Sequence, residues 1–340
     1  MNICAACFSD KELKSFISSS RRIGDCDCCA SKHESLMDLP ELLDFFQELL
    51  QNFRVCDKGM PLSKKIQSDW SFFSSHSNAN KILSLVLPDL LTDVISPAIN
   101  VDYTEDIIEN YNHWEMLKEE LKWNNRFIVN LGRLEDLGWD GFFDTQFKLT
   151  KDIELYRGRL HHQSGRKIYG PEEMSCPPKE NATGGRANPL GIPFLYLCDN
   201  LQTVLYEVRA SYLDELTIGT FQLNASTDSA VIVDFTEDTS LFQSNSSSIN
   251  KIIKGKLLRD LISQDLSKPM RRYDSELEYI PTQFICEFIK VYTGACGIRF
   301  KSSLHPSGNN IVMFDKNLMI CKSVQKRKVS SIRITDIHMD

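Results

Sequence analysis

Gly184-Gly-Arg-Ala-Asn-Pro-Leu-Gly-Ile-Pro-Phe-Leu-Tyr-Leu-Cys-Asp-Asn-Leu-Gln-Thr-Val-Leu-Tyr-Glu207 is the most informative stretch of the chain. Its first part is a loop broken by Gly184, Gly185, Asn188, Pro189, Gly191 and Pro193, and it carries one fixed positive charge, Arg186. Phe194 to Leu197 then forms a short apolar run with a single aromatic hydroxyl, Tyr196. Asp199 or Asn200 can cap a helix whose apolar face is Leu201, Val204, Leu205 and Val208, leaving Glu207 at the border of that face. Free backbone and a guanidinium, followed by a buried strand and a carboxylate, suit an anionic ligand with reactive chemistry beside it. Read alone, the same residues also fit an ordinary turn followed by a helix with a solvated Glu.

Outward from this stretch the pattern is mixed. Ile153 to Arg157 reads as a strand ending in Tyr156-Arg157, and further strands are expected over Leu216–Leu223, Ala230–Phe235, Cys296–Phe300 and Asn310–Phe314. A serine-rich connector, Ser244 to Ser248, precedes a helix near Ile249–Ser263, and Pro281 introduces another whose face is Phe284, Ile285, Phe288, Ile289 and Tyr292. This order indicates an α+β fold, not a doubly wound sheet. No G-x-G-x-x-G follows a strand, which removes the dinucleotide-binding oxidoreductases.

Residues 35–150 read as a helical bundle. Asp38-Leu-Pro-Glu41 has the form of a capping box, and Leu42, Leu43, Phe46, Leu49, Leu50 and Phe53 follow at helical spacing. A second helix is expected over Ala79–Ile95, interrupted by Pro88, and a third from Thr104 with Ile107, Ile108, Tyr111, Trp114 (or Met116), Leu117 and Leu121 on one side. Residues 1–34 read differently. Cys4-x2-Cys7 and Cys26-x2-Cys29 have 18 residues between them, the spacing of a closed four-thiolate zinc site. Cys4, Cys7, Cys26 and Cys29 are the candidate ligands of a structural zinc ion, with Cys28 able to stand in for Cys29.

At 340 residues the chain exceeds one ordinary core. Its 42% hydrophobic and 25% charged residues are those of a globular protein. A net charge of −7 argues against a nucleic-acid-binding body, although Lys322 to Lys328 is locally basic. The absence of a long apolar run or a leader-like start, together with 11 cysteines, points to a cytoplasmic protein that does not span a membrane. The sequons at Asn181, Asn224 and Asn245 are then chance matches.

Tyr156-Arg157, the Gly-Gly-Arg186-x-Asn-Pro loop, Leu-Tyr196-Leu, the helix bearing Glu207, Gln283, and Gly-Ile-Arg-Phe-Lys-Ser302 before a strand ending in Phe314 together resemble the RES-domain family. The family is named for an Arg, a Glu and a Ser. The resemblance covers about half the chain and implies an ADP-ribosyltransferase-like split β-sheet and attack on NAD as a hydrolase or phosphorylase. It also implies a toxin or defence role. Arg157 and Arg186 would grip the diphosphate, with Gly184, Gly185 and Asn188 shaping the loop around it. Tyr196 would pack on the nicotinamide or ribose. Glu207 would stabilise the positive charge that grows on the ribose, and Ser302, chosen over Ser303 by the family's spacing, would hydrogen-bond near the scissile bond.

Partners implied are NAD, inorganic phosphate and a helix-turn-helix antitoxin, with a homo-oligomer left open. Ahead of the RES-like part, knuckle and bundle resemble the HEPN/RES N-terminal domain. None of Arg54, Arg126 and Arg133 has the closely following His of HEPN ribonucleases, so support or regulation is the expected role there. The expected division is 1–34 knuckle, 35–150 helical, 151–323 catalytic and 324–340 tail. Departures from the family pattern are Gly158, Ala187 and Leu304. ADP-ribosyl transfer to a protein and a non-catalytic nucleotide-binding module are the competing functions.

Overall fold

The structure is a computed structural model and describes residues 1–243, 248–269 and 276–332. The expected connector from Ser244 lies, but for Ser248, outside the described residues, as does the sequon at Asn245. By proximity the chain forms two compact units, Met1–His113 with Asp238–Leu258, and Trp114–Glu237 with Arg259–Asp340.

In the first unit, β1 (Asn2–Cys4), α1 (Lys11–Ser18), β2 (Ile23–Gly24) and β3 (Glu34–Asp38) build a small sheet of order β1-β3-β2 with one helix. Asp10 caps α1, its Oδ1 accepting from the Leu13 amide at 3.0 Å. The other oxygen of Asp10 accepts from the amides of Leu241 and Phe242 at 2.7 and 3.3 Å, which ties the returning segment to the N-terminus. The expected capping box at Asp38 and Glu41 is present. It leads into α2 (Leu43–Leu50), whose Phe46, Leu49 and Leu50 are buried.

Next come β4 (Phe53–Pro61), α3 (Leu62–Trp70), α4 (His76–Val86) and β5 (Asn100–Tyr103). Pro88 sits in a single 3-10 turn that ends α4, because a proline cannot donate into the preceding helical turn. The expected all-helical segment is corrected here. β4 pairs antiparallel with β5 across an irregularity between Val55 and Met60, and the polar run Cys56-Asp-Lys-Gly59 hides the alternation that would announce a strand. α5 (Glu105–Trp123) and, later in the chain, α8 (Ile249–Leu266) both run through the boundary between the units.

The second unit is built on a mixed sheet. Its elements are α6 (Leu131–Asp136), β6 (Gln146–Thr150), β7 (Leu155–Leu160), β8 (Leu195–Cys198), α7 (Leu201–Glu207), β9 (Glu215–Leu223), β10 (Ser229–Asp234), α9 (Ile280–Tyr292), β11 (Gly297–Lys301), β12 (Asn309–Met313) and β13 (Met319–Lys328). The eight strands run in the order β13-β9-β7-β8-β12-β11-β10-β6, with β10 and β11 parallel and the other pairs antiparallel. β7 and β8 meet at one residue pair, Tyr156 with Cys198, so the sheet is nearly parted at that seam. The sheet also runs past the expected 151–323 segment at both ends, since β6 precedes it and β13 pairs with β9 as far as Lys328. The basic strip Lys322–Lys328 is therefore part of an edge strand, where exposed lysines also discourage pairing with other chains.

The two faces of the sheet bury different sets. Leu155, Leu195, Leu197, Phe221, Leu223, Ile311 and Met313 share one core with Tyr169 and Met174. Cys198, Leu216 and Ile218 pack with Val204 of α7, joined by Tyr156, Leu201, Leu205 and Val208, on the other. The apolar stripe expected for α7 is thus the one it buries. A Cβ on Gly158 would lie 2.5 Å from Val204 Cγ1 and 3.2 Å from Val208 Cγ1, so only glycine lets α7 lie this close to β7. Valines are stiff at χ1 and cannot swing aside. Gly158→Ala is expected to lower stability by about 1–3 kcal/mol, read as a fall in the thermal unfolding midpoint; an unchanged midpoint would mean the helix is free to shift.

Candidate functional site

Three strands and one short helix converge on Glu207. Asn200 caps α7 by accepting from the Thr203 amide at 2.9 Å, and Glu207 is the last residue of that helix. On β12, Asn310 lies opposite Cys198 of β8. Ser302 follows the end of β11 and is buried. These placements bring two donors to one oxygen: Ser302 Oγ donates to Glu207 Oε1 at 2.7 Å, and Asn310 Nδ2 donates to the same oxygen at 2.8 Å. Among the described residues no group donates to Oε2.

The turn after Ser302 is closed by its amide donating to Gly308 O at 2.9 Å. His305, in that turn, stacks on Tyr206 with centroids 5.1 Å apart, and its Nδ1 lies 2.9 Å from Thr203 Oγ1. A side chain on Gly308 would collide with Thr203 and His305, so the glycine lets the turn settle onto α7. Cys198, buried beside this group, has its thiol pushed up by burial and by the nearby Glu207 and Asp199 charges.

The Gly184–Gly191 loop is held from within. Asn188 is buried, and its Nδ2 lies 3.0–3.1 Å from the carbonyls of Thr183, Pro189 and Ile192. The Tyr196 hydroxyl donates to Asn188 Oδ1 at 2.8 Å and accepts from the Ala187 amide at 3.0 Å. Gly185 sits where a Cβ would come within 2.7 Å of both the Tyr196 hydroxyl and Asn188 Oδ1, and its carbonyl accepts from Gln283 Nε2 at 2.8 Å. Tyr196 and Asn188 thus spend their polar atoms on the loop.

Arg186 projects from this scaffold. It donates to the Leu266 carbonyl at 3.1 Å and lies over the Tyr279 ring at 5.8 Å. Burial lowers its pKa, while Tyr279 and Glu207 pull the other way. Beside it is a cavity of about 120 Å³ lined by Lys118, Lys122, Asp265, Glu278 and Thr282 among others. That volume takes a phosphate-sized group and is below the roughly 300–1,000 Å³ of drug-sized ligand pockets.

Arg157 stands apart. Tyr156 and Gly158 face α7, so strand alternation puts Arg157 on the opposite face, with Leu155 and the core around Met174. One of its terminal nitrogens donates to the Tyr196 carbonyl at 3.2 Å, across the β7–β8 seam, and its buried Nε has no hydrogen-bond partner among the described residues. Burial lowers its pKa. The structure therefore brings Glu207 and Ser302 into direct contact and links Gly185, Arg186, Asn188 and Tyr196 through one loop, but it joins Arg157 to Tyr196 and not to Glu207. Asn310 was not singled out from sequence. An Asn inside a strand is unusual enough to have flagged it; the turn around His305 was legible from Pro306 and Gly308, but the contact of His305 with α7 was not.

A second candidate site lies in the other unit. The thiols of Cys4, Cys7, Cys26 and Cys29 all lie within 4.8 Å of one another, with Sγ separations of 4.0 Å for Cys4–Cys7 and 3.5 Å for both Cys4–Cys29 and Cys7–Cys26. A tetrahedron of zinc–sulfur bonds has edges of about 3.8 Å, so the cluster fits such an ion. Cys28 Sγ donates toward Asn78 Oδ1 at 3.8 Å and is not among the four thiols within 4.8 Å of one another, which leaves Cys29 as the fourth.

Among the described residues no helix is long and apolar enough to cross a membrane. No curated protein matches the chain. Of the solved structures, the crystal structure of the M. tuberculosis MbcT–MbcA toxin–antitoxin complex is similar at 13% identity, covering 57% of this chain and 92% of that one with a TM-score of 0.29, too low to bear on the fold in detail. The profile described as "RES domain" matches residues 155–331, from the first residue of β7 to just beyond β13. With that match spanning more than half of the 340 residues, the chain belongs to the RES-domain family.

Proposed function

We propose that the chain is an NAD-degrading enzyme, a glycohydrolase or phosphorylase, that acts as a growth-arresting toxin or defence effector. The observation that carries this reading is the Glu207 carboxylate, held through one oxygen by Ser302 and Asn310, with no donor to its other oxygen among the described residues. Breaking the nicotinamide–ribose bond sends the electron pair to the nicotinamide nitrogen and builds positive charge on the ribose. A fixed carboxylate stabilises that charge as it forms. Water attacking the anomeric carbon gives ADP-ribose and a proton; phosphate attacking gives the corresponding ribosyl phosphate. The parted sheet agrees with an ADP-ribosyltransferase-like frame, in which the β7–β8 seam is the cleft.

Within this reading Arg186 is the phosphate-binding group, exchanging its bond to the Leu266 carbonyl for a ligand oxygen. Arg157 braces the seam through Tyr196, and its Nε, without a partner among the described residues, is a donor in reserve. The knuckle takes structural zinc, and the N-terminal part is of HEPN/RES N-terminal type with a supporting or regulatory role. A helix-turn-helix antitoxin is the proposed protein partner.

The deciding experiment incubates purified protein with NAD, with and without inorganic phosphate, and identifies the products. Free nicotinamide with ADP-ribose or its phosphate is expected; label fixed to protein would instead indicate ADP-ribosyl transfer, and unchanged NAD would refute the enzyme. Arg186→Ala should raise KM for NAD about 10- to 100-fold, the worth of one charge-assisted contact, with a smaller change in kcat. An unchanged KM would remove Arg186 from the ligand site.

A further inference from the structure

Ser302 has no hydrogen-bonding capacity to spare. Its hydroxyl donates to Glu207 Oε1 at 2.7 Å and accepts from the amides of Leu304 and His305 at 3.2 and 3.1 Å. A serine hydroxyl offers one proton and two lone pairs, and all three are engaged. Attack by this oxygen would surrender its proton to the carboxylate and strip both amides of their acceptor in a buried position, where each unpaired group is costly.

Asn310 comes to the same oxygen from the other side, donating from Nδ2 at 2.8 Å. Which end of the amide faces Glu207 is set from behind, because the Cys198 thiol lies 3.4 Å from Asn310 Oδ1 and acts as the donor there. Burial keeps that thiol protonated. The terminal torsion of a glutamate is broad, so a single donor would leave the carboxylate plane free to swing. Two donors on one oxygen fix both its position and its plane.

We infer that Asn310 is a positioning residue that, with Ser302, clamps Oε1 of Glu207, so that Oε2 alone is presented to the ribose and Ser302 orients the acid without acting as a nucleophile. The ribose part of this statement rests on the NAD reading above; the clamp does not. No serine-bound glycosyl intermediate forms, and the acceptor attacks the anomeric carbon directly.

The test compares the full-length wild type with Ser302→Ala, Ser302→Thr, Asn310→Ala and Asn310→Asp. Each alanine variant should lose about 10- to 100-fold in kcat, the effect of one hydrogen bond to a charged group, with KM for NAD within about twofold. Ser302→Thr, which keeps the hydroxyl, should recover most of the loss. Asn310→Asp should lose more than Asn310→Ala, because it sets a second carboxylate against the first. Full kcat in Asn310→Ala, or an ADP-ribosyl adduct on Ser302 in rapidly quenched wild type, would overturn the inference.

A second measurement needs no turnover. Thermal unfolding of Glu207→Ala, Asn310→Ala and the double variant forms a cycle in which the clamp predicts a non-additive result. Additive shifts would refute the clamp. Should Asn310→Ala not fold, Asn310→Ser takes its place in both arms. If wild type leaves NAD intact, the enzymatic reading falls while the unfolding cycle still decides the clamp.

Discussion

Glu207→Gln is expected to reduce nicotinamide release by about 10²- to 10³-fold, the scale on which preorganised electrostatic groups act, while leaving the protein folded and able to bind NAD. The substitution is a clean one because of how the carboxylate is held. Both donors, Ser302 Oγ and Asn310 Nδ2, address Oε1. A glutamine amide oxygen can accept the same two bonds, so the clamp survives and only the charge on the other atom is removed. Loss of rate would then report electrostatic stabilisation of the ribose cation and not a rearranged site. Single-turnover measurement of nicotinamide, paired with NAD binding to the same variant, separates the two. A variant that keeps wild-type turnover would end the proposal that Glu207 is catalytic, and a variant that loses binding and turnover together would move it to substrate recognition.

How far this site was legible in the sequence follows from the range of its interactions. The capped helix with Leu201, Val204, Leu205 and Val208 inward was readable, because those contacts repeat at a period the chain displays locally. Glu207 and Ser302 were reached through family resemblance, and their contact spans 95 residues, which no local pattern encodes. Asn310 is linked to Glu207 across 103 residues and was missed for the same reason. Arg157 teaches the opposite lesson. Leu155 is an obvious core residue, and two-residue alternation assigns Arg157 to its side of the strand; the pairing of Arg157 with Arg186 set that constraint aside.

The fold shows the same division. The capping box at Asp38 and the Pro88 break announced themselves, whereas β4 is too polar over Cys56–Gly59 to betray a strand. The return of residues 238–258 to the N-terminal unit depends on Asp10 receiving two amides from more than 200 positions away. A segmental division drawn along the chain cannot contain such a return.

Removing metal from the cysteine knuckle should have the larger effect on stability. The small β1-β3-β2 sheet and α1 already bury Ile3, Leu13, Ile17, Leu36 and Met37 in the core of the first unit, and an ion held by four thiolates would add to that a binding free energy of order 10 kcal/mol, as in small zinc modules. The thiols themselves argue that an ion belongs there. Without one, burial pushes Cys4 up to about 12 and moves Cys7 upward as well, so these two are held neutral. Cys29 is also subject to burial, but its hydrogen bonds to Ser31 and Cys4 bring it down to about 6. Four sulfurs crowded to within 4.8 Å, most of them poor thiol donors to one another, are far better satisfied as ligands than as neutral groups. Zinc uptake at neutral pH must then release protons from Cys4 and Cys7, and affinity should rise with pH until those protons are already lost. The expected results are about one zinc per chain by metal analysis, proton release on titrating zinc into metal-free protein, and a lowered or separate unfolding transition after chelation or in Cys7→Ser. Cys28→Ser should retain the metal, because the four thiols within 4.8 Å of one another are those of Cys4, Cys7, Cys26 and Cys29. Full metal binding in Cys7→Ser, or a melting profile indifferent to chelation, would show that the four thiols are only a reduced core.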